Sequence, residues 1–154
     1  MSAAFRDSRR RVLQTAGALA IVPWLPARAA SGDLPDIPAL TTFLAGRQPR
    51  LSRVRLTIPQ LADNGQTVPM KVTVEGPFAP GPRVTAIHLF SEANPVPDMA
   101  VFEFPVAVEQ VEIESRIRLA TSQRIVAVAA LSDGALCAAA AEVIVTIAGC
   151  MDGT

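Results

Sequence analysis

From residue 54 onward, apolar and polar positions alternate in short bursts divided by turn residues. Val54, Leu56 and Ile58 alternate with Arg55 and Thr57, the two-residue period of a strand with one buried face. The period returns in VPMKVTVEG (68–76) and most clearly in VEIESRIRLA (111–120). There Val111, Ile113, Ser115, Ile117 and Leu119 share one face, with acids and arginines on the other. VTAIHLFS (84–91), MAVFEF (99–104), RIVAVAAL (124–131) and ALCAAAAEVIVTI (135–147) are more continuous apolar runs. Ala138 to Ala141 taken alone would suit a helix. The β-branched run Val143, Ile144, Val145, Thr146, Ile147 and the preceding turn argue for a strand.

The turns are as regular as the strands. Asn64-Gly65 is a strong short turn signal, and Ser132-Asp133-Gly134 joins the last two runs as a tight hairpin. The prolines of NPVPD (94–98) remove ladder donors and mark a loop. Seven short strands at this spacing predict an all-β protein, an immunoglobulin-like antiparallel β-sandwich. One helical pattern precedes them. Ile37, Leu40, Phe43 and Leu44 fall on one face, with Asp36 placed to cap, Pro38 in the first turn and Gly46 to end it. This reads as a short N-terminal helix laid on a sheet.

The first 29 residues follow a different pattern. Arg9, Arg10 and Arg11 precede an apolar stretch from Thr15 to Leu25, and Ala27-Arg28-Ala29 follows. That stretch is shorter than the roughly 20 residues a membrane-spanning helix needs. A charged start, a short apolar core and an A-x-A site make a signal peptide, and Arg9-Arg10 point to the twin-arginine (Tat) route. The expected organisation is a signal peptide (1–29), a sandwich domain (30–147) and a C-terminal tail (148–154), in a protein exported to a bacterial periplasm.

Removing the signal changes the charge. Five of the 14 basic residues and one of the 14 acidic ones lie in it, so the remainder carries 9 basic and 13 acidic residues, a net charge of −4. That does not suit nucleic acid, which needs a basic patch. There is no CxxCH, CxxC or histidine cluster to hold haem or metal, and no G-x-S-x-G or P-loop. No catalytic residue, metal site or resident cofactor is expected. The lone histidine, His88, reads as a half-buried strand residue satisfied by a neighbouring backbone group. Glu112 and Glu114 read as a solvated strand face.

Two cysteines remain. Cys137 lies inside the last strand and reads as a buried small hydrophobe. Cys150 stands in the tail between Gly149 and Met151, five residues from the end counting itself. Thirteen residues of extended chain separate the two sulfurs by roughly 40 Å, against a Cα–Cα limit near 7 Å for a disulfide. No Lys or Arg stands beside Cys150 in sequence, and Asp152 opposes ionisation. A free thiol with a pKa near 8.5 is a few per cent thiolate at neutral pH, so activation of Cys150 would have to come from another protein.

The stretches RVRLTIPQLADNGQTVPMKVTVEGPF (53–78), VTAIHLFSEANPVPDMAVFEF (84–104), RIRLATSQRIVAVAALSDG (116–134) and EVIVTIAGC (142–150) together resemble the SoxY family. SoxY is the sulfur-carrier subunit of the SoxYZ complex in periplasmic thiosulfate oxidation. The resemblance implies a non-catalytic carrier whose Cys150 holds the sulfur substrate covalently, with Gly149 and Gly153 giving the tail slimness and freedom. It also implies a heterodimer with a SoxZ-like subunit. A c-type cytochrome (SoxAX) would load the thiol, a hydrolase (SoxB) would release sulfate, and a sulfur dehydrogenase could oxidise what remains. The family tail G-G-C-G-G is here Ala148-Gly149-Cys150-Met151-Asp152-Gly153-Thr154. The alternative is a SoxY-derived binding or structural module whose cysteine is not loaded.

Overall fold

The computed structural model describes residues 34–76, 80–108 and 110–146. The expected signal peptide with Arg9 and Arg10, and the expected tail with Gly149, Cys150 and Gly153, lie outside the described residues. One helix, α1 (Pro38–Leu44), precedes eight strands: β1 (Val54–Thr57), β2 (Leu61–Ala62), β3 (Val68–Val74), β4 (Val84–Ser91), β5 (Asp98–Glu103), β6 (Val111–Ile117), β7 (Gln123–Leu131) and β8 (Leu136–Val145). They form two sheets, β1-β3-β6 and β2-β8-β7-β4-β5. The predicted β-sandwich is what the chain builds.

The alternating residues of both sheets meet between them. Leu56, Val68, Met70, Val72 and Val74 from the smaller sheet pack against Ile87, Leu89, Ile125, Ala127, Ala129, Cys137 and Val143 from the larger. The outer face of the larger sheet is apolar too, and α1 covers it. Ile37 and Leu40 pack on Phe90, Val126, Val128, Leu136 and Ala138. This explains the alanine run. Val128 and Ala138 are register partners, as are Val126 and Ala140, and small side chains there let a helix lie close to the strands.

The helix ends differ from expectation. Ile37, not Asp36, is the N-cap, and no side chain caps it. Pro38 sits in the first turn as expected, where its missing N–H leaves no bond unmade. Ala45 and Gly46 both take left-handed backbone, with φ of 48° and 80°. Arg47 closes the end by donating from Nε to the Leu44 carbonyl and from Nη2 to that of Phe43.

The β7–β8 hairpin follows the sequence closely. Gly134 has φ of 83°, its N–H donates to the Leu131 carbonyl, and Asp133 Oδ1 accepts from the Ala135 N–H. The Asn64-Gly65 turn differs from a primed hairpin turn, since neither residue has positive φ. Asn64 Oδ1 accepts from the Gln66 N–H instead. The reason is topological: the 58–67 connection does not fold straight back. It crosses to the other sheet and contributes β2, whose Leu61 and Ala62 pair in parallel with Ile144 and Val145. This eighth strand has two residues, too few to show a period.

Candidate functional site

The expected carrier residue follows β8, so the site is built from the way β8 ends. From Leu136 to Val143 the strand is held antiparallel to Gln123–Ala130 of β7. At its C-terminal end other partners take over. The Ile144 N–H donates to the Gln60 carbonyl at 2.8 Å, and the Thr146 N–H to the Ala62 carbonyl at 3.1 Å. Ser122 Oγ accepts from the Val145 N–H at 2.9 Å and lies 3.4 Å from the Val145 carbonyl, to which it donates. Thr146 Oγ1 donates to the Asp63 carbonyl at 2.8 Å. Four residues before Cys150, the chain is thus gripped from both sides.

The grip rests on a tied frame. Gln123, nearly buried, accepts at Oε1 from the Ala93 N–H and donates from Nε2 to Asn94 Oδ1. Asn94 also accepts from the Ala120 N–H and donates to the Arg118 carbonyl. Leu119 N–H donates to the Gly65 carbonyl. Glu92 takes two side-chain bonds from Arg124, at 3.0 and 3.3 Å, and one from its backbone N–H. These bonds hold the Glu92 carboxyl below the usual carboxylate range. Three loops at one end of the sandwich are therefore cross-linked around the point where β8 finishes. No periodicity announces this: Ser122, Asn94, Gln123 and Thr146 are polar loop or strand-end residues that carry no period.

Cys137 is 1% exposed within the inter-sheet core. Arg50 lies across it as an isolated parallel bridge, donating to the Leu136 carbonyl and accepting from the Ala138 N–H. Burial pushes the Cys137 thiol up, opposed in part by Arg53 and Arg50. Cys137 and Thr146 stand at opposite ends of β8, roughly 30 Å apart at strand rise. Four further residues reach back at most about 14 Å, so an intrachain bridge to Cys150 stays out of reach.

His88 stands on the outer face of β4, half-buried, but not against a backbone acceptor as expected. Its ring centroid lies 4.2 Å from that of Phe43 on α1, and 6.3 Å from Phe90 in stacked orientation. Desolvation lowers its pKa below 6.5 despite Asp98 and Glu103 on the adjacent strand. Glu112 and Glu114 do share a solvated face, where both pair with Lys71 Nζ, at 2.8 and 3.0 Å. Their partner is set by register, since Lys71 lies opposite Glu114. An open groove of about 700 Å³ runs past Thr57, Pro59, Lys71, Glu114 and Arg116. Among the described residues, no three His, Cys, Asp or Glu side chains are grouped to hold a metal ion.

The sequence matches the family model for "Sulfur oxidation protein SoxY" over residues 41–150, a span whose last residue is Cys150. No curated protein matches. Among solved structures, the sulfur carrier protein SoxY from Chlorobium limicola f thiosulfatophilum is 27% identical, with a TM-score of 0.58, over 70% of this chain and 88% of that one. A putative superoxide reductase from Thermotoga maritima is 17% identical, with a TM-score of 0.50, over 60% of this chain and 84% of that one; that likeness is one of fold alone. Superoxide reductase (neelaredoxin) from Ignicoccus hospitalis follows at 18% identity and a TM-score of 0.48, over 61% and 80%. With the family model spanning most of the chain, through both sheets and on to the tail cysteine, this protein belongs to the SoxY family of sulfur oxidation proteins.

Proposed function

We propose that this protein is a periplasmic sulfur carrier that holds its cargo covalently on Cys150. The observation that carries the reading is the family match, which runs to Cys150 only four residues beyond a rigidly held strand end. The Chlorobium protein of similar fold is itself described as a sulfur carrier. Cys137, buried in the core, is no competitor as cargo site.

In the loading step the Cys150 thiolate and the outer sulfur of thiosulfate form an S–S bond. The product is a Cys-S-S-sulfonate, and two electrons leave to a c-type cytochrome of the SoxAX kind. Water then attacks the sulfonate sulfur in a hydrolase of the SoxB kind, releasing sulfate and two protons and leaving a persulfide on Cys150. A sulfur dehydrogenase could oxidise that persulfide. The carrier supplies a thiol and a reach; the partners supply activation, since no basic residue adjoins Cys150 in sequence. A SoxZ-like subunit is the expected stable partner. Sheet edges β1 and β6, and β2 and β5, end the two sheets, and an open edge offers unpaired backbone groups to a second chain.

The test is intact mass of protein purified from its thiosulfate-grown host, with and without reductant, followed by peptide mapping. A reducible thiosulfate- or sulfane-sized increment on Cys150, lost in Cys150→Ser, is the expected result. An unmodified Cys150 refutes loading and favours a binding module, the reading that the altered tail Met151-Asp152 supports. Export by the Tat route is checked separately: Arg9→Lys with Arg10→Lys should hold the precursor in the cytoplasm.

A further inference from the structure

We propose that β6 is a self-pairing edge: two copies of this chain join antiparallel along it, with Ser115 facing Ser115 across a two-fold axis. The contact is independent of any cargo on Cys150. β6 ends the smaller sheet, and among the described residues it pairs with β3 alone. Backbone bonds tell its two sides apart. The Glu75 N–H donates to the Arg53 carbonyl and continues the β1–β3 ladder, so odd-numbered residues of β3 face β1. Its even-numbered residues then face β6, opposite Val111, Ile113, Ser115 and Ile117. The Leu119 N–H, which donates to the Gly65 carbonyl, fits the same parity. The backbone groups of Glu112, Glu114 and Arg116 therefore point away from the sheet. Asn94 closes this edge only at its far end, donating to the Arg118 carbonyl and accepting from the Ala120 N–H.

Charged side chains guard an open edge against pairing when like charges would meet there. On β6 the charges are sorted instead. Glu112 and Glu114 stand at its start, Arg116 and Arg118 at its end, and all four are exposed. The two acids share one cation, Lys71. Among the described residues neither Arg116 nor Arg118 has an ion pair, and Arg116 borders the open groove.

A two-fold axis through Ser115 sets Glu114 opposite Arg116 twice and Glu112 opposite Arg118 twice. Every charge on the strand then meets its opposite, at the separation where cross-strand pairs attract. Sliding by two residues halves the matches and brings Glu114 against Glu114, or Arg116 against Arg116. A one-residue slip sets the face of Val111 and Ile117 against the charged one. The charges thus select one register. In it the outward backbones of Glu114 and Arg116 exchange ladder bonds across the axis, and two three-stranded sheets become one. Two short strands bury less than the roughly 1,200 Å² of a stable interface, so the dimer is weak, and its exposed charges make it salt-sensitive.

The full chain is purified alone and kept in reductant, so that no disulfide contributes, and its sedimentation is followed from about 10 to about 500 μM. Wild type is compared with Glu114→Arg, with Arg116→Glu, with the double variant, and with an equimolar mixture of the two single variants. Wild type should associate as concentration rises and come apart as salt rises from about 50 to about 500 mM. Each single reversal turns two attractive pairs into two repulsive ones and should weaken association about tenfold or more. The mixture should restore it, because a Glu114→Arg copy meets an Arg116→Glu copy with opposite charges at both pairs. The double variant should restore it as well. Both positions are exposed, so thermal melts should match wild type. A wild type that stays monomeric throughout overturns the proposal and leaves the charges as guards of the edge. Association that salt does not weaken overturns pairing by charge. Association that the single reversals leave intact, or that neither the mixture nor the double variant restores, overturns the β6 register.

Discussion

The two thiols should differ in reactivity by orders of magnitude, and the burial of Cys137 sets the size of the difference. Its side chain is 1% exposed and lies among apolar residues of the inter-sheet cluster. The strand that carries it is bonded to β7 on one side and to Arg50 on the other. A reagent reaches the sulfur only when β8 opens, and an opening in the middle of a core strand costs nearly the global stability. At the low end of native stability, about 5 kcal/mol, that slows the reaction several thousand-fold. The raised thiol pKa slows it further, since the thiolate is the attacking form. Substitution reads the same burial from the other side. Cys137→Ala removes one buried sulfur and should cost about 1 kcal/mol. Cys137→Ser keeps the size but buries a hydroxyl beside backbone groups already bonded to Arg50, and should cost about 2–3 kcal/mol, a fall in Tm of about 8–12 °C for a domain of this size. The assay is DTNB kinetics on the Cys150→Ala variant, which isolates Cys137, with and without urea, alongside thermal melts of the two Cys137 variants. One equivalent released only on unfolding is expected. A full equivalent released within seconds from the native protein would refute the core placement of Cys137. So would a serine variant as stable as the alanine one.

Leu40→Ala should cost about 2–3 kcal/mol, at the low end for a buried leucine because a seven-residue helix can settle into part of the cavity; exchange should quicken in α1 more than in β7, and equal quickening in both would contradict a separately docked helix. His88 gives stability a pH slope. Its folded pKa is lowered by desolvation, so on acidification the unfolded chain takes up a proton near pH 6.5 before the folded one does. Stability is therefore full above 6.5 and falls as pH drops below it toward the folded pKa. Tm measured from pH 7.5 to 5.5 should fall more steeply in wild type than in His88→Phe, and parallel curves would remove His88 as the cause. Gly134→Ala should cost about 1 kcal/mol by thermal melt, entirely from the φ of 83°, because no atom lies within 4 Å of the added Cβ; a neutral substitution would mean the turn can relax.

Much of this architecture is written locally. The alternation in 68–74 and 111–117 needs no partner to declare a strand, because a side chain every second residue must face the same way. Gly134 announces its turn through the backbone freedom that it alone has there. The positions of Ile37, Leu40 and Phe43 announce a one-faced helix. Cys137 inside a strand and Cys150 beyond one could be told apart from position alone, and the combined stretches carried the family resemblance.

What sequence alone could not decide depends on which pieces meet. Asp36 had the right chemistry for a cap, but the chain enters the helix one residue later, where Ile37 is drawn down onto Phe90 and Val126; burial outweighs a cap worth about 1 kcal/mol. His88 was expected to find a backbone acceptor and instead meets the ring that α1 lays over it. Leu61 and Ala62 become a strand only because the end of β8 offers open backbone groups beside them. Ser122 is a polar loop residue until the frame of Gln123 and Asn94 brings it to Val145. Periodicity records which way a side chain faces along its own segment, and so the sequence determined the elements, the fold class and the family of this protein. Hydrogen bonds between distant segments leave no period, so only the tertiary structure decided how the strand before Cys150 is held.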